Sequence, residues 1–152
     1  KRLENLKKEL GLLDDEINYL DDEQSKIFWK FTQNLKAFEK SEKNLIKVVI
    51  PPSKAVKTIN NLKKHLTRYF IDWGGNLIWM EIDKLNSEIL REIEEVIDNM
   101  GGYYIIVKLD DGLKAGIDVF KIDSIKYKIS QNLKNSFDPK RILNPGKMYS
   151  GI

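Results

Sequence analysis

Three pairs of breaking residues, Pro51-Pro52, Gly74-Gly75 and Gly101-Gly102, divide the middle of this chain into short segments. A proline pair ends a strand or helix because it lacks amide hydrogens, and a glycine pair lets the backbone reverse direction. Each segment between two breaks has room for only one or two short elements. The middle of the chain must therefore fold as short elements that bury their apolar faces against one another.

Strand-like and helix-like patterns alternate between these breaks. The strand-like runs are Leu45 to Ile50, Arg68 to Trp73, Asn76 to Ile82 and Tyr103 to Leu109. Apolar residues at helical spacing are Val56, Ile59, Leu62 and Leu66 after a cap at Ser53, and Ile89, Leu90, Ile93, Val96, Ile97 and Met100 in a helix starting near Ser87. Gly74-Gly75 reads as a tight hairpin. The order β-α-β-β-α-β predicts an α+β fold with a ferredoxin-like antiparallel sheet and helices on one face.

Helical additions flank this core at both ends. The pattern predicts a helix with Leu3, Leu6 and Leu10, a strand from Ile17 to Leu20, and a helix capped by Asp21 or Asp22 that carries Ile27, Phe28, Phe31 and Leu35 and extends toward Phe38. A last amphipathic helix carries Ile122, Ile125, Ile129, Leu133 and Phe137 and ends at Pro139. We expect residues 1–152 to form one domain with its core at 45–109 and a tail at 137–152.

Composition and missing motifs exclude several function classes. The 26 basic residues nearly balance the 23 acidic ones, so nucleic acid is not the expected partner. Without Cys there is no thiolate metal site, and no apolar run reaches the roughly 20 residues that span a bilayer.

His65 lies among lysines, and this position predicts an ordinary surface histidine. P-loop, GxGxxG, GxSxG and HExxH motifs are absent. We expect no catalytic residue and no metal ligand, and we interpret the chain as a fragment that is not catalytic alone.

Alternation along the strands predicts a second, more polar face of the sheet. Ile46, Val48 and Ile50 form the better core face of their strand, and this leaves Lys47 on the opposite side. In the strand Asn76 to Ile82, the same argument places Trp79 opposite the helices. A face with an indole and an ammonium needs a cover. Either the terminal helices cover it, or it is an interaction site.

The segment FDPKRILNPGKMY at 137–149 resembles the C-terminal end of FAD-linked oxidases of the vanillyl-alcohol oxidase superfamily, which reads FDP-x-x-(I/L)-(L/F)-NPG-(K/R)-(M/L). Three further segments narrow the resemblance to the FAD-binding E-type subunits of bacterial glycolate oxidases. These segments are LIKVVIPPSKA at 45–55, IDWGGNLIWM at 71–80 and GGYYIIVK at 101–108. The resemblance implies a C-terminal cap domain whose FAD-binding domain lies upstream of this chain.

The resemblance also implies a cofactor and a set of site residues. An upstream domain would bind most of the FAD, and the cap would close the substrate side. The implied cofactor contacts are Asn144, Gly146, Lys147 and Trp79, and the implied substrate-side residues are Lys47 and Trp73. The family commonly has Arg where this chain has Lys47, which keeps the charge but loses the bidentate fork. The related D-type subunits carry a His-rich HGDGNxH-like segment. This chain has no such segment, and in this it resembles the E-type subunits.

The implied function is oxidation of a small 2-hydroxy acid by hydride transfer to FAD. The implied partners are a D-type flavoprotein subunit and an iron–sulfur subunit, in the cytoplasm or peripheral to the inner membrane through the complex. Two alternatives stay open. One is a stand-alone ferredoxin-like module that binds a protein or single-stranded RNA, and the other is a structural assembly domain without catalysis.

Overall fold

The computed structural model describes residues 2–11, 18–110, 117–121 and 124–146. The chain divides into two compact units, Lys1–Ser41 and Glu42–Ile152. Its helices and strands are α1 (Arg2–Leu10), α2 (Asp22–Gln33), β1 (Asn44–Val49), α3 (Ala55–Leu62), β2 (Leu66–Asp72), β3 (Leu77–Ile82), α4 (Ser87–Asn99), β4 (Tyr103–Lys108) and α5 (Ser124–Phe137). Their presence in one chain with an antiparallel sheet confirms the predicted α+β class.

The first unit consists of α1, α2 and a 3₁₀ turn at Lys36–Phe38. A capping box starts α2, because the Asp21 carboxylate accepts from the Gln24 amide and the Gln24 side chain accepts from the Asp21 amide. Leu35 adopts a left-handed φ of 50° after α2, so the predicted extension to Phe38 forms a separate turn. The predicted strand at Ile17 to Leu20 is wrong: residues 18–20 form no regular element, and Ile17 lies outside the described residues.

The second unit is built on an antiparallel sheet of four strands in the order β2-β3-β1-β4. Its buried cluster contains the three residues predicted to face inward from β1, together with Ile78, Met80 and Ile82 from β3. Leu62 of α3 and Ile93 and Ile97 of α4 belong to the same cluster and have almost no exposed surface. Since strand and helix residues share one core, α3 and α4 cover the same face of the sheet, as predicted.

Several predicted details of the α3 region are wrong. Ser53 does not cap α3, because Pro51-Pro52 start a 3₁₀ turn at Pro52–Lys54 and α3 begins only at Ala55. Leu66 is not in the helix but begins β2, after a second 3₁₀ turn. Val56 is 68% exposed, whereas Thr58 is buried and donates its hydroxyl to the Lys54 carbonyl. The predicted core positions Ile59 and Leu62 are buried, so within α3 the apolar spacing is wrong only at Val56.

The connection between β2 and β3 is longer than predicted. A 3₁₀ turn at Trp73–Gly75 joins Asp72 to Leu77, so Gly74-Gly75 is not a two-residue hairpin. The side-chain amide of Asn76 donates to the Ile50 carbonyl and ties this turn to the end of β1. The turn is therefore attached to the end of the central strand β1 and is not a free tip.

Both edges of the sheet carry irregular features. On the β4 side, the Ile106 amide donates to the Val119 carbonyl, and Phe120 forms an isolated bridge with Ile105. On the β2 side, the register shifts between Leu66 and Arg68 in the pairing with β3. Neither outer strand therefore presents a long regular row of free backbone groups.

Helix α5 differs from the other helices of its unit because none of its residues is buried. Its apolar stripe of Ile125, Ile129, Leu133 and Phe137 is between 53% and 83% exposed. Its half-buried residues are Tyr127, Ser130, Gln131 and Lys134. The helix thus turns its more polar side inward. The predicted start at Ile122 lies outside the described residues.

Gly102 follows the end of α4 and lies in close contact with the end of β1. Its amide donates to the Ile97 carbonyl and the Gly101 amide donates to the Asp98 carbonyl, which together form a Schellman end. A methyl group on Gly102 would lie 2.7 Å from the Val49 carbonyl oxygen and even closer to a methyl carbon of Ile50. The backbone atom cannot rotate away, so only glycine fits.

We expect Gly102→Ala to lower the free energy of unfolding by about 1–3 kcal/mol, because the methyl group must push β1 and the end of α4 apart. The control is Asn99→Ala, an exposed change in the same helix, which should stay within about 0.5 kcal/mol. Chemical denaturation followed by circular dichroism measures both. Equal stabilities of the two variants would contradict the close approach.

Candidate functional site

The face of the sheet opposite α3 and α4 is organised around Lys47, at the centre of β1. The strand registers place Phe70, Trp79, Lys47 and Ile105 in one row across the four strands. All four are half-buried, whereas their neighbours on the helix side of β1, β3 and β4 are almost fully buried. The predicted placement of Lys47 and Trp79 on one face follows directly from this register.

The ammonium of Lys47 lies between two indole rings. Its Nζ is 5.4 Å from the ring centroid of Trp73 and 5.6 Å from that of Trp79. Both distances fall within the range of cation–π attraction, which is worth about 0.5–1 kcal/mol at exposed sites and more when water is excluded. No carboxylate of the described residues pairs with Lys47. The positive charge is held by aromatic faces and is available to an anion.

Trp73 reaches this position through an unusual backbone conformation. Its φ is 51°, in the left-handed region that a bulky side chain rarely adopts and that costs about 1–3 kcal/mol. The Asp72 carboxylate accepts from the Trp73 amide at 2.7 Å and stabilises the turn. The side chain is nevertheless 61% exposed, so core burial does not explain the strain. The observation favours a functional reason for placing this indole beside Lys47.

A buried ion pair lies in the next row of the same face. Glu81 is 2% exposed, and Arg68 grips it with two bonds, Nε to Oε1 at 3.1 Å and Nη2 to Oε2 at 2.6 Å. The hydrogen bond to Glu81 raises the pKa of Arg68. Because Arg68 neutralises this carboxylate, Glu81 does not cancel the charge of Lys47. This pair was not predicted, although Arg68 and Glu81 stand at equal distances from Gly74-Gly75 and a hairpin there places them opposite each other.

The tail residues form a second, separate arrangement after α5. Asn144 and Gly146 are exposed and adopt left-handed φ values of 46° and 66°. Lys147 lies outside the described residues. No hydrogen bond, ion pair or ring contact among the described residues joins Asn144 or Gly146 to the Lys47 row. The structure therefore brings together Lys47, Trp73 and Trp79, but does not place the tail beside them.

Asp138 anchors the described part of the tail. Its two carboxylate oxygens accept from the amides of Ile142, at 3.0 Å, and Leu143, at 2.9 Å, and Lys134 Nζ lies 2.8 Å away. The hydrogen bond from Lys134 is the main reason that the pKa of Asp138 falls to about 2, and the two amides add to it. The FDP segment is therefore a folded turn whose conformation depends on one charge.

Residues 120–148 match the protein family described as FAD linked oxidases, C-terminal domain. The predicted resemblance to the FAD-linked oxidases is confirmed. A stretch of 82 residues, or 54% of the chain, is 31% identical to glycolate oxidase subunit GlcE of Escherichia coli (strain K12). The chain spans about a fifth of the length of this curated relative, since the match covers 21% of it. No solved structure gives a significant match.

The segment that matches the FAD-linked oxidase family contains α5 and the Asp138 turn, whereas the Lys47 row lies outside it. In the described ranges, no three acidic or histidine side chains cluster as metal ligands do. None of the helices in the described part of the chain is long and apolar enough to cross a membrane.

The prediction of an ordinary surface histidine is wrong for His65. Its side chain is only 15% exposed, and its Nε2 lies 2.9 Å from Glu92 of α4. Lys64 bonds the same carboxylate at 2.7 Å and, with His65, lowers the pKa of Glu92. The residue links the end of α3 to α4 on the side of the sheet away from Lys47. Its contacts in the described residues join these two helices.

We expect the Asp138 turn to survive mild acid. The folded state favours the carboxylate, so its stabilisation is fully present above the ordinary pKa of 3.8 and is lost as the pH falls through about 2. A carbon-13 NMR titration of the Asp138 carboxyl should give a midpoint near the lower value, and the Ile142 and Leu143 amide signals should move with it. A midpoint near 3.8 would show that the amides and Lys134 do not hold the carboxylate in solution.

Proposed function

We propose that the Lys47 face is the substrate side of an FAD-dependent oxidoreductase subunit that oxidises a small 2-hydroxy acid. The observation that carries this proposal is the Lys47 ammonium, half-buried between two indoles and without a carboxylate partner among the described residues. Such a group suits a small carboxylate, because a charge-assisted hydrogen bond is stronger than a neutral one and the surrounding rings reduce access of water. The name of the relative GlcE supports glycolate as the substrate to test first.

In this proposal the residues of the chain bind and orient the substrate, and FAD, when bound, would supply the acceptor for the hydride. Lys47 would hold the substrate carboxylate as a point charge, and the indoles of Trp73 and Trp79 would shield the reacting carbon from water. The hydride leaves the 2-carbon with its bonding electrons, and the hydroxyl proton goes to a base outside this chain. The product would be the 2-oxo acid.

The described residues suit a flavin at this position. Trp79 offers a flat apolar surface, and a cation beside a flavin ring would favour the negative charge of its reduced form. Nothing lies within 4 Å of the position that a side chain on Gly146 would occupy, so another surface could approach the backbone there. We therefore propose that Trp79, Asn144, Gly146 and Lys147 approach FAD, which an upstream domain would bind for the most part. Residues 1–152 would together form the cap.

We further propose that the subunit acts in a complex with a D-type flavoprotein and an iron–sulfur subunit. The relative is named as one subunit of a glycolate oxidase, which supports a multi-subunit assembly. In such an assembly the electrons would leave the flavin toward the iron–sulfur subunit. The complex would be cytoplasmic or peripheral to the inner membrane.

The test compares Lys47→Met with Lys108→Met in the protein carrying its upstream region. Lys108 lies on the neighbouring strand β4, where it is opposite Leu45 of β1, and it pairs with Glu42 at 3.8 Å. We expect Lys47→Met to raise the KM for glycolate roughly 10- to 100-fold, the value of a charged hydrogen bond, and Lys108→Met to change it less than about twofold.

Anaerobic addition of glycolate to the wild-type protein should bleach the visible flavin absorption. A flavin spectrum that glycolate does not bleach would reject this substrate for this subunit. Equal KM values for the two lysine variants would reject the role of the Lys47 face. A colourless, folded wild-type protein would reject the whole proposal.

A further inference from the structure

Asp138 is a carboxylate almost fully buried at the end of a helix whose own residues are not buried. It is 8% exposed, and Lys134, one turn earlier in α5, is 13% exposed in its side chain. The Lys134 ammonium bonds both the Asp138 carboxylate, at 2.8 Å, and the Leu143 carbonyl, at 2.5 Å. Together with the two backbone amides that Asp138 accepts, these bonds close a small clasp over residues 138–143.

The clasp holds a backbone that apolar burial does not hold. Ile142 and Leu143 are 69% and 64% exposed, so their side chains provide little packing energy. Arg141 adopts a left-handed φ of 52°, which is unfavourable for a long side chain, and Asn144 adopts one of 46°, which asparagine tolerates better than most residues. The Arg141 amide donates to the Asp138 carbonyl at 2.9 Å, and this turn also starts from Asp138. The conformation of the tail therefore depends on polar bonds that meet at one residue.

We propose that Asp138 is a positioning residue that fixes one conformation of residues 138–146 and so presents Asn144 and Gly146 to their ligand. The ligand is the flavin, and this part of the inference rests on the proposed function. A fixed turn lowers the entropy that the tail loses on binding, which is how a prearranged loop gains affinity. Asp138 acts through the backbone and has no role in the reaction itself.

The chemistry of the clasp requires a carboxylate at this position. Two backbone amides and one ammonium all donate to Asp138, so the side chain must accept on both of its ends. The amide group of asparagine would turn one NH₂ donor toward one of these N–H groups, and the charge that attracts Lys134 would be lost. Asp138→Asn is therefore a change of nearly equal size that removes only the clasp.

The first measurement is hydrogen exchange, followed by mass spectrometry of peptides spanning 138–146, in the complete protein. We expect Asp138→Asn to speed exchange at Ile142 and Leu143 about tenfold, and Lys134→Met to speed it less, since the two amide bonds remain. The matched control is Asp83→Asn, because Asp83 is an exposed carboxylate with a loose 3.7 Å pair to Lys43. Exchange in Asp138→Asn equal to that in the control would overturn the proposal.

The second measurement is the dissociation constant for FAD, with the melting temperature as a check on overall folding. We expect Asp138→Asn to weaken FAD binding about five- to tenfold with an unchanged melting temperature. Faster exchange with unaltered FAD affinity would overturn the positioning role. If the wild-type protein binds no FAD, the proposed function fails, and the exchange result alone then decides whether Asp138 fixes the tail.

Discussion

The pairing of β1 between β3 and β4 is the constraint on which the rest of the second unit depends. Because β1 bonds to a strand on each side, its register cannot slip without breaking two ladders and exchanging its buried and open faces. Ile46 and Val48 are fully buried on one side, and this fixes Lys47 on the other. The position of the ammonium is thus set by the hydrophobic core behind it.

Left-handed backbone conformations at two places, the turn at Trp73 and the tail after α5, position exposed groups. Trp73 adopts a strained backbone to bring an indole over Lys47, and the tail adopts left-handed conformations at Arg141 and Asn144. In both places a short-range carboxylate, Asp72 or Asp138, holds the strained turn through backbone amides. The same device, an aspartate accepting from following amides, supports both surfaces that we propose to face the flavin and its substrate.

The order of apolar runs in the sequence was enough to predict the α+β class. The alternation along each strand was enough to predict the inward residues of β1 and β3 and the face shared by Lys47 and Trp79. These follow from the period of two in strands and need no knowledge of the turns. Ser53, Leu66 and the Gly74-Gly75 turn were misread because short 3₁₀ turns, one at proline, one at glycine and one at Lys63–His65, shift the ends of the neighbouring elements. The position of Trp73 beside Lys47 was implied by the family resemblance, since no residue pattern predicts a left-handed tryptophan.

The irregular edges of the sheet have a consequence for how such a surface can exist at all. A sheet face that displays tryptophan and phenylalanine side chains invites other chains to add as further strands, which is a route to aggregation. The bridge of Phe120 to β4 and the bulge in β2 blunt both ends of the strand array. Side chains on the open face can then contact a partner, while the outer strands β2 and β4 do not readily pair with the backbone of another chain. The aromatic face can therefore stay exposed, because the irregular edge strands beside it disfavour the addition of further strands.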